Sequence, residues 1–303
     1  MTDLPPEAVP PPTPPAGAAT PAPKAYGRAG RNLPVAIAVG VGLGGYIIAT
    51  LLFWKPGFVA LLALALVLGS VELYQAFQRQ QMTAAIIPIS VGTVAIAAGS
   101  YLAGRPPVVF STTSVLLGSL ALTVLASLIW RMPKGSPGFV KDAMASLGII
   151  AYVPLLGSFA ALMLAGDNGS TRMVTFLLIV VMNDVGGYVA GVLFGKHQMS
   201  PRISPKKSWE GFAGSIAFGI LAGVLMSVYG LHRPFWVGII LGVALVAVGT
   251  CGDLVESMIK RDLGIKDMSS FVPGHGGVMD RLDSLLLAAP VAWLIMYLLV
   301  PGG

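Results

Sequence analysis

The sequence predicts an all-α, polytopic integral membrane protein: a helical bundle of about nine transmembrane helices with its N-terminus in the cytoplasm. Three observations carry this. The chain of 303 residues is 55% hydrophobic and 11% charged, where ordinary soluble domains carry about 25% charged residues. Apolar runs of about 20 residues, the length a helix needs to cross a bilayer, recur from residue 33 to the end. The strict alternation of a β-barrel wall is absent, and in lipid only helices and closed barrels satisfy every backbone polar group.

Taken in order, residues 1–31 are different material. Nine prolines and few large apolar side chains make this a disordered, polyproline-leaning cytoplasmic tail. It has no apolar core of the kind a signal peptide carries, so no cleavage is expected. The membrane domain then runs over 32–303. Its spans read as 33–54, 57–77, 84–103, 109–130, 145–165, 172–195, 211–230, 234–252 and 284–300, with Pro154 inside the fifth and Asn183 and Asp184 inside the sixth. The single Cys251 lies in an apolar span and reads as a small buried hydrophobe; one cysteine excludes disulfides and cysteine-based metal sites.

The cations orient the bundle. With the N-terminus inside, cytoplasmic segments hold 15 of the 19 Lys and Arg residues. Only Lys55, Arg105, Arg172 and Arg233 fall outside, as the positive-inside rule requires. The net charge of +6 suits anionic lipid and calls for no nucleic-acid partner.

Eight of the 13 acidic residues lie between Asp184 and Asp283. Ionisable groups at a bilayer are expensive and by default functional. Asp253 ends one span; Asp280 and Asp283 begin the next and, three apart, share a helical face. Three carboxylates at one membrane edge suit Mg²⁺, a hard cation that takes oxygen ligands. The alternative for Asp280 and Asp283 is helix capping. Asp184 lies within the membrane and reads as facing a polar cavity, while Glu72, near the cytoplasmic end of its span, reads as an interfacial structural residue.

Around these acids sit cations and turn residues. Lys260, Arg261, Lys266 and Arg281 are suited to phosphates, and Pro273-Gly274-His275-Gly276-Gly277 forms a turn whose glycines admit a ligand close to the backbone. His275 could donate to phosphate, act as a base or bond the loop. It receives no proton-transfer role, because a phosphate monoester is already ionised near neutral pH. In Ser204-Pro205-Lys206-Lys207-Ser208-Trp209-Glu210-Gly211, two cations, two hydroxyls and a Pro-fixed turn opening a helix make an anion site. The competing reading is juxtamembrane Lys/Trp anchoring.

Ser257-x-Ile259-Lys260-Arg261, four residues, Lys266-Asp267, then His275-Gly276-Gly277-x-x-Asp280-Arg281-x-Asp283 resembles the signature of the phosphatidate cytidylyltransferases, the CDP-diacylglycerol synthases. Asn183-Asp184-x-x-Gly187-Tyr188 and the Ser204–Gly211 block resemble other segments of that family, and the motifs together cover roughly 180–284. The resemblance implies transfer of a cytidylyl group from CTP to phosphatidate at the lipid bilayer. The site would face the cytoplasm at the cell's inner membrane. It also implies Mg²⁺, a monovalent cation such as K⁺, and a homodimer. On this reading Asp253, Asp280 and Asp283 hold metal. Asp184, Lys206, Lys207, Lys260, Arg261, His275 and Arg281 act in the reaction. Ser204, Lys206, Lys207, Ser208, Lys266, Gly276 and Gly277 bind substrate. A CTP-dependent lipid kinase of the polyprenol type is the alternative enzyme. An ion-coupled transporter is the alternative of another class, and it predicts internal repeats and polar residues spread through several spans, neither of which is present.

Overall fold

The computed structural model describes residues 33–103, 111–201, 203–265, 267–269 and 277–301. The N-terminal tail and the site candidates Lys266, His275 and Gly276 lie outside the described residues.

Nine helical segments follow one another among the described residues: α1 Leu33–Phe53, α2 Lys55–Gln78, α3 Ile86–Leu102, α4 Thr112–Arg131, α5 Phe139–Ala165, α6 Gly169–Phe194, α7 Trp209–Gly230, α8 Phe235–Asp262 and α9 Met279–Leu299. Seven are long and apolar enough to cross a bilayer; α3 and the Gly40–Phe53 stretch of α1 are shorter apolar helices. Large apolar side chains cover the outside of the bundle, among them Phe53, Leu122, Tyr188 and Phe194. A soluble protein does not expose so much contiguous apolar surface, and this is a multi-pass membrane bundle. Cys251, expected to be buried, is exposed.

Pro154 does not break α5. The helix absorbs it in a π turn at Ala151–Leu155, which relieves the proline's missing N–H and the crowding of its ring. The membrane-length spans also understate two helices. α8 runs on to Asp262, ten residues past the apolar run, and α9 starts at Met279 rather than 284. Hydropathy marks the edge of the bilayer, whereas the helix ends where its backbone bonding ends.

Side chains gather into two apolar clusters. One joins Leu51, Met163, Phe176, Ile179, Leu241 and Met296; the other joins Leu66, Leu73, Ile89, Ile149, Val153 and Met279. α6, α7 and α8 approach one another through glycines. A Cβ on Gly186 would stand 2.6 Å from the Gly214 carbonyl oxygen, and one on Gly242 would stand 2.6 Å from that of Gly219. Lipid supplies no hydrophobic drive between helices, so small residues that let backbones meet are what hold such an interface.

Side-chain bonds fasten both ends of the bundle. At one end Arg131 pairs with Asp142 at 2.6 Å. Asp142 in turn accepts the Thr83 N–H at 2.6 Å, tying the α2–α3 loop to the first turn of α5. At the other end Ser170 donates to the Leu51 carbonyl at 2.6 Å and Arg172 to that of Val300 at 2.8 Å. The only sheet among the described residues is a hairpin, β1 Gln198–Ser200 with β2 Ser204–Ser208. Pro205 thus sits in an extended strand, and the helix opens only at Trp209, not in the Pro-fixed turn the sequence predicts. A two-stranded ribbon has only edges, so a residue without an N–H is tolerated there.

Candidate active site

Four elements converge below the hairpin. Strand β2 carries Lys206, Lys207 and Ser208; α6 carries Asn183 and Asp184; α8 carries Thr250 and Asp253; α9 carries Ser284. They line one cavity of about 250 Å³. Ser208 fixes the junction by capping α7: its side chain accepts the Gly211 N–H at 3.1 Å. Glu210, in the first turn, accepts the Lys196 and His197 N–H groups at 3.1 and 3.2 Å and fastens the entrance to the hairpin. Held in this way, Lys207 forms an ion pair with Asp253. On α6, Asn183 donates to Asp184 at 3.0 Å, and Ser215 donates to the Asn183 carbonyl at 2.6 Å.

The acids that meet are Asp253, Glu256 and Asp283, each offering an oxygen within 4.8 Å of the others. Asp253 and Glu256 are three apart on α8 and share a face. Glu256 is fully buried, its Oε1 accepts no hydrogen bond among the described residues, and Lys260 stands 2.5 Å from its Oε2. A buried carboxylate oxygen without a donor is what a hard cation satisfies, so this trio fits Mg²⁺. The sequence reading left Glu256 without a role, although the spacing rule applied to Asp280 and Asp283 also selects Asp253 and Glu256.

Asp280 stands beside the trio rather than within it. Its Oδ1 accepts from Lys260 at 3.0 Å and its Oδ2 from the Gly277 N–H at 2.9 Å. Lys260 therefore bridges Glu256 and Asp280. Asp283 lies one turn further on and accepts the N–H of Ser284 at 2.6 Å. Ser204 sits at the far end of β2, paired with Ser200 and away from the cavity wall. Arg261 is exposed on α8 and borders neither the cavity nor the cleft described next. Gly277 is packed against two carboxylates: a Cβ there would stand 2.8 Å from Glu72 Oε2 and 2.9 Å from Asp280 Oδ2.

A second opening reaches the same place from the side. A mostly apolar cleft of about 460 Å³ runs between α1, at Leu43 to Leu51, and α6, at Val174 to Val181. It ends on Asp184, Asp280, Arg281, Asp283 and Ser284. Asp184 and Ser284 thus border both the polar cavity and the apolar cleft. Asp184, the intramembrane acid of the sequence, is exposed to these spaces.

The whole membrane domain has relatives. The profile of the Cytidylyltransferase family matches residues 34–299. The chain is 42% identical over 291 residues to the phosphatidate cytidylyltransferase of Mycobacterium leprae, covering 90% of each chain. It is 39% identical over 288 residues to that of Mycobacterium bovis, again covering 90% of each. With the phosphatidate cytidylyltransferase of Staphylococcus epidermidis it shares 35% identity over 182 residues, 60% of this chain and 69% of the other. A match from the first described helix to the last, over a bundle that builds one charged site at one end, shows that the chain belongs to the cytidylyltransferase family.

Proposed function

We propose that this chain joins CTP and phosphatidate to give CDP-diacylglycerol and pyrophosphate, with the nucleotide in the polar cavity and the lipid in the lateral cleft. The observation that carries this reading is the wall the two spaces share at Asp184 and Ser284. A water-soluble and a membrane-dissolved substrate then meet without either leaving its own phase. A phosphatidate oxygen attacks the α-phosphorus of CTP. The bond from that phosphorus to the β-phosphate bridging oxygen breaks, and pyrophosphate leaves.

Little covalent work falls to the protein in such a transfer; positioning and charge neutralisation dominate. Lys206 and Lys207 face the cavity and take phosphate oxygens of CTP. The Asp253 partner holds Lys207 extended before substrate arrives, so less side-chain entropy is lost on binding. Arg281 borders the cleft and meets the lipid phosphate. Lys260 pairs with both Glu256 and Asp280 and compensates their charge. Asp253, Glu256 and Asp283 would hold Mg²⁺, with Asp280 beside them; bound there, the ion neutralises phosphate oxygens as charge builds on them. K⁺ is a second cation in this reading. The enzyme works as a homodimer in the cell's inner membrane with the hairpin end in the cytoplasm, where CTP is.

The test is pyrophosphate release by purified protein. It should require both CTP and phosphatidate, stop with EDTA and return with Mg²⁺. Release with CTP alone would refute the two-substrate reading.

A further inference from the structure

We infer that Glu72, on α2 in the first half of the chain, is a positioning residue for the reaction: its carboxylate sets the start of α9 and thereby the placement of Asp280, Arg281 and Asp283. Glu72 is buried, at 4% exposure. It accepts three hydrogen bonds, from the Ser269 hydroxyl at 2.5 Å and the backbone N–H groups of Val278 at 2.9 Å and Met279 at 2.8 Å. The sequence reading placed it at the interface as a structural residue; it is buried against Ser269, Val278 and Met279.

The first N–H groups of a helix have no partner within it. α9 begins at Met279, and its N-cap residue, Val278, makes no side-chain capping bond. Two carboxylates do that work. Asp280 takes the Gly277 N–H from within the segment, and Glu72 takes the next two from another helix. A negative charge at a helix N-terminus is favoured by the macrodipole, and charge-assisted bonds are stronger than neutral ones. A side chain at 277 would press on both carboxylates and make them shift. Asp280 and Asp283 follow within a turn and a half, so a shift of this start moves them relative to Asp253 and Glu256 on α8. Misplacement of reacting groups by about 1 Å costs on the order of 100-fold in rate.

Full-length protein in nanodiscs tests this with Glu72→Gln, Ser269→Ala as a milder change, and Gln78→Ala, exposed on the same helix, as a control. Hydrogen exchange is read at the amides of 277–283, with the middle of α8 as reference. In Glu72→Gln, protection should fall at 277–283 alone. kcat should drop about 10-fold or more, with KM for CTP changed less than about threefold, because every cavity wall except Ser284 of α9 is untouched. Ser269→Ala should lie between this variant and the wild type, and Gln78→Ala should match the wild type. Protection lost throughout the protein would make Glu72 a stability residue only, and would overturn the inference. So would protection kept at 277–279, or kcat within twofold of wild type. If Glu72→Gln does not insert, Ser269→Ala decides: wild-type exchange and turnover in that variant overturn the inference. The role in turnover rests on the proposed site. Full activity in Asp283→Asn would sink that reading, while the exchange data would still report whether Glu72 holds the segment.

Discussion

At the scale of residues, the pair of Lys207 and Asp253 ties strand β2 to α8. If Lys207 takes a phosphate oxygen as proposed, Lys207→Ala removes a contact worth roughly 1.5–3 kcal/mol, so kcat/KM should fall about 10- to 100-fold in protein that still inserts and folds. Asp253→Asn should abolish turnover. Because the two side chains touch, the losses in thermal stability of the two single variants should not add in the double variant; strict additivity would mean the ion pair does nothing. Glu256→Gln keeps the shape and removes a charge, so the Mg²⁺ concentration for half-maximal rate should rise on the order of 10- to 100-fold. An unchanged Mg²⁺ titration would remove Glu256 from the metal site. Lys206, Lys207, Ser208, Asp253 and Asp283 were legible in the sequence because polar residues in so apolar a chain stand out one by one. Glu256 and Glu72 were not. Their roles depend on which helix covers them, and Glu72 meets partners about 200 residues away, a relation that no local spacing expresses.

At the scale of elements, the spans were legible because a bilayer imposes length and hydropathy on every crossing. The helix ends were not, since α8 continues through polar sequence as far as Asp262. That continuation places Glu256 and Lys260 on the same helix as Asp253. The glycine contacts of α6, α7 and α8 were also silent in the sequence, where glycine can as well mark a turn. Gly242→Val should destabilise the protein by about 1–3 kcal/mol, the usual cost of overpacking. A thermal unfolding scan in detergent would show this as a lowered midpoint, and an unchanged midpoint would mean that α7 and α8 do not meet so closely in the membrane. The lateral cleft makes a separate claim. Val181→Trp, on the α6 wall, should raise KM for long-chain phosphatidate while leaving KM for CTP within about twofold. An equal rise in both would mean that the cleft is not the lipid's path.

At the scale of the whole molecule, charge and geometry describe the same two ends. Arg79, Arg131, Lys134, Lys207 and Lys260 lie at the end of the bundle that holds the acidic trio, and Arg172 and Arg233 lie at the other. In a Cys251→Ser background, needed because the native thiol is exposed, a cysteine at 303 should react with an impermeant thiol reagent in intact cells. A cysteine at 134 should not, and the reverse pattern would turn the site outward, away from CTP. The central claim is that a cytidylyl group passes from nucleotide to lipid where cavity and cleft meet. It is tested most directly by following two labels of CTP into purified lipid product. Label at the α-phosphate should enter the lipid and label at the γ-phosphate should leave as pyrophosphate; γ-label in the lipid, with α-label left in CDP, would make this a lipid kinase and contradict the account.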